Sequence, residues 1–123
     1  MIATRLGNQI EDISAQPDST PAARPIIFYN PCMVTRQRVI FQGRVQGVGF
    51  RARARNAAMH FPVTGWVRNE PDGTVMLEAQ GTESDLNAFL TELRKKTSGL
   101  VEREVHAHVR TEPNEDQFEI RRQ

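Results

Sequence analysis

After Thr35 the apolar residues repeat with two different periods, and the order in which those periods alternate constrains this chain most. A spacing of two marks a strand, and a spacing of three to four marks a helix. Arg38–Val45 is rich in β-branched residues, ends among glycines, and reads as a strand. Phe50, Ala54, Ala57, Ala58 and Phe61 then fall on one helical face. Pro62 predicts the end of that helix, because proline disfavours the α region for the residue before it. Val63, Gly65 and Val67 alternate with Thr64, Trp66 and Arg68 as a second strand. Glu70-Pro71-Asp72-Gly73 is a turn, in which proline presets φ and Gly73 tolerates positive φ. Val75, Leu77 and Ala79 form a third strand, hairpinned to the second.

Thr82 and Asp85 have capping-box spacing, and Leu86, Phe89, Leu90 and Leu93 follow at helical intervals. Arg94, Lys95 and Lys96 suit the negative end of that helix, and Gly99 suits the turn after it. Val101, Val105, Ala107 and Val109 alternate with charged residues and histidines, which predicts a strand with its apolar face buried. Phe118 and Ile120 mark a short fifth segment. The order β-α-β-β-α-β specifies an α/β chain of the α+β sandwich type. It is the ferredoxin-like arrangement, an antiparallel sheet with two helices on one face.

Residues 1–33 do not share this patterning. They hold Pro17, Pro21, Pro25 and Pro31, four of the seven prolines, and no sustained period. Such a stretch offers too little apolar surface to offset its ordering entropy, which predicts a disordered extension over 1–33 and a domain over 34–123. Met33 stands just before the first patterned segment and is a candidate initiator, a question that the mass of the natively expressed protein decides. Cys32 is the only cysteine, so a disulfide framework and multi-cysteine metal sites are excluded. No apolar run approaches the ~20 residues of a membrane helix, and Met1–Ile13 has no signal-type apolar region. The expected setting is cytoplasmic, with no membrane partner.

Charge is segregated along the chain. Between Asp18 and Glu70 there are eight arginines, no lysine and no acid, whereas from Glu70 onwards twelve acids face seven bases. With a net charge of only +1, this points to a local anion site and not to a general polyanion binder. The plainer reading is that the arginines decorate one face.

Gly43-Arg44-Val45-Gln46-Gly47-Val48-Gly49-Phe50-Arg51 lies between a strand and the first turn of a helix. Glycines free the backbone there to present consecutive N–H groups, which with a helix N-terminus form an anion cradle. Arg51 adds a guanidinium fork that matches two oxygens of a phosphate or carboxylate. The Walker A pattern is absent, so nucleotide hydrolysis is not indicated. A purely structural turn is the competing reading.

This run, followed by Asn69 in Gly65-Trp66-Val67-Arg68-Asn69, resembles the two signature segments of the acylphosphatase family. The turn Pro71-Asp72-Gly73-Thr74 and the late Phe118-Glu119-Ile120 match it as well, so the resemblance covers about Arg36 to Arg122. It implies hydrolysis of the carboxyl–phosphate bond of a small-molecule acyl phosphate, with no metal and no cofactor. It implies that Arg51 binds the phosphoryl oxygens together with loop N–H groups from about Gln46 to Arg51, through Gly47, Val48, Gly49 and Phe50, and that Asn69 holds the attacking water. Many members carry an aromatic and then a threonine after the phosphate arginine, where this chain has Ala52, Arg53 and Ala54. Arg53 is a candidate for strengthening the positive field. The helix of many members ends at a glycine near the position of Pro62. These departures bear on substrate preference and rate.

Other residues have plainer roles. Trp66 is expected to pack, Arg44 and Arg68 to be solvated, and His60 to favour a helix C-terminus. His106 and His108 are expected on a wet face. The main alternative is a catalytically silent phosphate- or anion-binding ferredoxin-like module. A carbamoyltransferase-type module of a longer chain and a nucleic-acid-binding sheet are further rivals. The latter needs stacking aromatics on the open sheet face, and nucleic acid is not an expected partner. The expected state is a monomer.

Overall fold

The computed structural model describes residues 33–122. The expected extension, apart from Met33, lies outside the described residues, as do Cys32 and the start of the chain.

The elements are β1 (Val34–Gly43), α1 (Phe50–Ala58), β2 (Thr64–Asn69), β3 (Val75–Thr82), α2 (Glu83–Lys96), β4 (Val101–Val109) and β5 (Phe118–Arg121). They form one sheet in the order β4-β1-β3-β2-β5, with the ferredoxin-like element order expected. β3 runs antiparallel to both β1 and β2, while β5 runs parallel to β2. The sheet is therefore mixed and not wholly antiparallel. β4 and β5 lie on opposite edges and run in opposite directions. Residues 110–117 cross from one edge to the other, and the chain re-enters the sheet in the direction of β2.

This pairing positions the site. β1, β2 and β5 all point the same way, so their C-terminal ends at Gly43, Asn69 and Arg121 share one end of the sheet.

The core lies on one face. Val39, Phe41, Val67, Val75, Leu77 and Ala79 pack with Phe50, Ala54, Ala57 and Ala58 of α1 and Leu86, Phe89, Leu90 and Leu93 of α2. Phe41 and Phe50 meet with ring centroids 4.9 Å apart, joining β1 to the first turn of α1. Truncating a buried aromatic such as Phe89 to alanine costs about 3–5 kcal/mol. α2 is capped as expected, with the Thr82 hydroxyl accepting from the Asp85 N–H at 3.2 Å.

Several boundaries differ from the sequence reading. β1 begins at Val34 and ends at Gly43, so Val45 is a buried loop residue. α1 ends at Ala58, four positions before Pro62. The N–H groups of His60 and Phe61 bond to the carbonyls of Ala57 and Ala58, which tightens the chain into i→i+3 turns. Phe61 still packs against the core.

Val101 packs on the core as expected, but a register shift between β1 and β4 follows it, and from Arg103 onwards the apolar alternation of β4 faces the other way. Val105 and Ala107 pair with Ile40 and Arg38, which project to the face away from the helices, and Val105 stays 39% exposed. Glu104, His106 and His108 share the helix-side face with Phe41, Val39 and Gln37, their partners in register. The reason is edge position: β4 lies beyond the cover of the helices, so its alternation does not report a buried face.

The open face is polar and paired. Arg36 is only 1% exposed, with its guanidinium 2.7 Å from both Glu78 and Glu115. Arg38 bonds the second Glu78 oxygen at 2.7 Å. A charge this deeply buried is tolerable only when its partners satisfy it. Arg36 to Glu115 and the Gln80 side chain to Glu112 fasten the 110–117 connection over this face.

Candidate active site

The chain leaves the sheet after Gly43, whose φ is 130°, and the Arg44 N–H donates to the Leu100 carbonyl at 2.9 Å. It then turns through Gly47 and Gly49, with φ of 75° and 78°, into α1. Both conformations are left-handed, which glycine adopts without a Cβ penalty. Gly49 is the N-cap and supplies no side-chain acceptor, and the first turn of α1 carries no acid. The leading N–H groups of the helix therefore have no side-chain cap at Gly49, at an end where the macrodipole favours negative charge.

An open cleft of about 290 Å³ lies at this end of the sheet. Gly47, Gly49, Phe50, Arg51 and Asn69 line it, together with Val45, Ala52, Ile120 and Arg122. The two residues expected to act on substrate, Arg51 from α1 and Asn69 from the end of β2, therefore face one space. Among the described residues the lining carries two guanidinium groups and no carboxylate.

The side chains of two loop residues lie elsewhere, while the role expected of both rests on their backbone N–H groups. Val48 packs against the core. The Gln46 side chain turns away from the cleft and donates to the carbonyls of Glu70 and Thr74, each at 2.8 Å. That clamp joins the cradle loop to the turn directly after Asn69. The turn holds itself, with the Glu70 N–H bonded to the Thr74 carbonyl at 2.9 Å. Asp72 accepts from the Thr74 N–H at 3.0 Å and from its hydroxyl at 2.7 Å. These bonds hold the Asp72 carboxyl below its usual range.

The departures after Arg51 separate in space. Ala52 lines the cleft, Ala54 is buried in the core, and the Arg53 guanidinium donates to the Lys96 carbonyl at 2.7 Å. Arg53 is thus engaged at the C-terminus of α2 and does not line the cleft.

Ile120 and Arg122 are cleft residues that sequence reasoning missed. No local pattern announces them, because they reach the site only through the parallel pairing of Ile120 with Val67.

Trp66 is 7% exposed on the open face, where Arg68 and Arg121 lie 4.9 and 5.1 Å from its ring. Arg68 is not simply solvated, since it pairs with Glu70 at 2.6 Å. Both His106 ring nitrogens have partners, Glu104 at 2.8 Å and Gln37 at 3.3 Å.

Fold and site together define an α+β sandwich in which a glycine loop, an arginine and an amide border one cleft at the shared C-terminal ends of three strands. Residues 37–120 match the acylphosphatase family model. An acylphosphatase of Clostridium acetobutylicum is 45% identical over 89 residues, covering 72% of this chain and 98% of the relative. The crystal structure of acylphosphatase from Bacillus subtilis aligns at 32% identity with a TM-score of 0.64, covering 72% of this chain and 98% of that one. A full-length HypF in its phosphate- and nucleotide-bound form aligns at 26% identity and TM-score 0.65, over 72% of this chain and 12% of its own. The chain belongs to the acylphosphatase family.

Proposed function

We propose that this protein is an acylphosphatase, hydrolysing the carboxyl–phosphate bond of a small acyl phosphate to a carboxylate and inorganic phosphate. The observation that carries this reading is that Arg51, Asn69 and the glycine loop border one cleft whose lining, among the described residues, holds no acid.

The phosphoryl oxygens lie against the Arg51 guanidinium and the N–H groups leading into α1. These donors are oriented before substrate arrives, so they stabilise the charge that develops on the equatorial oxygens without reorganising. The Asn69 amide orients a water through its acceptor oxygen and donor nitrogen, and does not titrate. The water oxygen forms a bond to phosphorus as the phosphorus–acyl oxygen bond breaks. The electron pair leaves with the carboxylate, and the water proton passes to solvent or to phosphate. A carboxylate is a good leaving group, so positioning and charge stabilisation suffice without a strong side-chain base. Among the described residues the lining side chains offer a cation no carboxylate, imidazole or thiolate, in keeping with a step that needs no metal. The catalytic unit is a single chain. A lone cysteine and the absence from the described residues of any helix able to cross a membrane support a cytoplasmic setting.

The test is steady-state hydrolysis of benzoyl phosphate with chelator present, comparing the wild type with Arg51→Gln and Asn69→Ala. Loss of either contact should cost about 2–4 kcal/mol of transition-state stabilisation, a thirty- to thousandfold drop in kcat/KM. A folded wild type that binds phosphate without turnover would leave the silent anion-binding module as the reading.

A further inference from the structure

β2 and β5 run parallel and side by side, with Arg121 level with Arg68. One position further on stand Asn69, the last residue of β2, and Arg122, which directly follows β5. Neighbouring strands lie about 4.8 Å apart, so these two residues are next to each other at the end of the sheet. Arg68 and Arg121 lie against Trp66 on the open face. By alternation Asn69 and Arg122 turn to the helix side, where both line the cleft with Arg51. Arg36, Arg38, Arg68 and Arg121 each pair with a glutamate, whereas among the described residues no carboxylate pairs with Arg51 or Arg122.

We infer that Arg122 is a second phosphoryl-binding residue, which with Arg51 forms a two-guanidinium clamp on the phosphoryl oxygens. This rests on the reading of the cleft as the site of acyl phosphate hydrolysis. The position beside Asn69 carries it. A water held by Asn69 for attack lies next to phosphorus, so a long cationic side chain one strand away from that amide reaches the equatorial oxygens. The acyl oxygen leaves from the opposite side, since attacking and leaving oxygens are roughly in line. Arg122 is therefore placed for the phosphoryl group and not for the acyl part. Charge points the same way. A phosphoryl group carries close to two negative charges at neutral pH, and one guanidinium with a helix end worth about half a charge falls short of that.

The surroundings suit this clamp. The two arginines come from separate elements, Arg51 from the first turn of α1 and Arg122 from the β5 edge of the sheet, so they approach a tetrahedral anion from two directions. Each planar fork matches two oxygens at once. The nearest lining residues of the same elements, Ala52 and Ile120, are uncharged and do not compete for either guanidinium. Arg122 is exposed, so its contribution is modest and weakened by salt.

Titration calorimetry of the full chain with inorganic phosphate at neutral pH and low salt tests this, alongside benzoyl phosphate hydrolysis. Arg122→Gln should weaken the phosphate Kd about tenfold and lower kcat/KM by a similar factor, as one charge-assisted contact at an exposed site is lost. Arg122→Lys should recover part of both, because it keeps the charge without the fork. Arg121→Gln removes the same charge one residue away, on the open face, and should leave the phosphate Kd within twofold of wild type. Circular dichroism confirms that each variant is folded. An unchanged phosphate Kd in Arg122→Gln overturns the inference. So does an equal weakening by Arg121→Gln, which would make the effect a general field, or a loss of turnover without a loss of phosphate binding. A wild type that binds phosphate but does not hydrolyse benzoyl phosphate removes the hydrolase reading, and the calorimetry still decides the clamp. A wild type with no phosphate affinity overturns both.

Discussion

Gln46 is bonded to the carbonyl of Glu70 at 2.8 Å, which ties the glycine loop to the residue directly after Asn69. The second bond of the same Nε2, to Thr74, closes a brace across the β2–β3 turn. The two halves of the cleft come from separate elements, and this side chain sets their spacing.

Gln46→Ala should therefore lower kcat for benzoyl phosphate about tenfold, since a misplacement of an ångström at a positioned site is costly. The two bonds are solvent-exposed, so stability should fall by only about 1 kcal/mol. Gln46→Glu should not rescue activity, because a carboxylate cannot donate to two carbonyls. Unchanged kcat in both variants would remove the positioning role.

Arg53 has a separate expected outcome. Its guanidinium is engaged with the Lys96 carbonyl at 2.7 Å. In Arg53→Ala the inhibition constant for inorganic phosphate should be unchanged. The midpoint of urea unfolding should drop by the equivalent of about 0.5–1 kcal/mol, for a lost contact at a helix C-terminus. A weaker phosphate constant would restore this arginine to the anion site.

Acid sensitivity should centre on Glu78. Burial alone would raise its pKa, but hydrogen bonds and charge from Arg36 and Arg38 outweigh that and hold it below the ordinary 4.5. A carboxyl depressed in the folded state contributes stability above its unfolded pKa, and loses it as pH falls through the folded value. Urea midpoints should thus decline on acidification below about pH 4.5. Glu78→Gln should be less stable at pH 7 by about 3 kcal/mol, because Arg36 and Arg38 lose a charged partner. It should also show a shallower decline. An equally steep acid limb in that variant would assign the effect to other carboxylates.

Gly65 should not tolerate a side chain. Its φ is 148°, and a Cβ there would collide with the backbone carbonyl of Glu78 on β3. Gly65→Ala should cost at least about 3 kcal/mol in chemical denaturation, as a strained close approach inside the sheet. Gly73→Ala makes a useful contrast. Its added Cβ meets nothing within 4 Å, so only the left-handed backbone cost of about 1–2 kcal/mol applies.

Much of this molecule was legible before any tertiary contact was considered. The helical faces of Phe50–Ala58 and Leu86–Leu93, the Thr82 cap and the Asp72 turn arise from interactions within a few residues, so their signals sit in contiguous stretches. The cradle is legible for the same reason, since glycines, a helix start and Arg51 are adjacent in sequence. What misled was the alternation of β4, because period alone reports which residues share a face and not which face is covered.

The sequence by itself determined the order of elements, the glycine cradle and the presence of an arginine and an amide suited to it, because each depends on local backbone geometry and side-chain chemistry. Only the tertiary structure decided that β5 runs parallel to β2, bringing Ile120 and Arg122 to the cleft, and that Gln46 braces the turn beyond Asn69. It also decided how the segregated charges recombine. Arg36 and Arg68 of the acid-free stretch pair with Glu115 and Glu70 of the acidic half, while Arg51 is directed to the cleft. These outcomes depend on contacts between residues far apart in the chain, and strand pairing, not local preference, sets those.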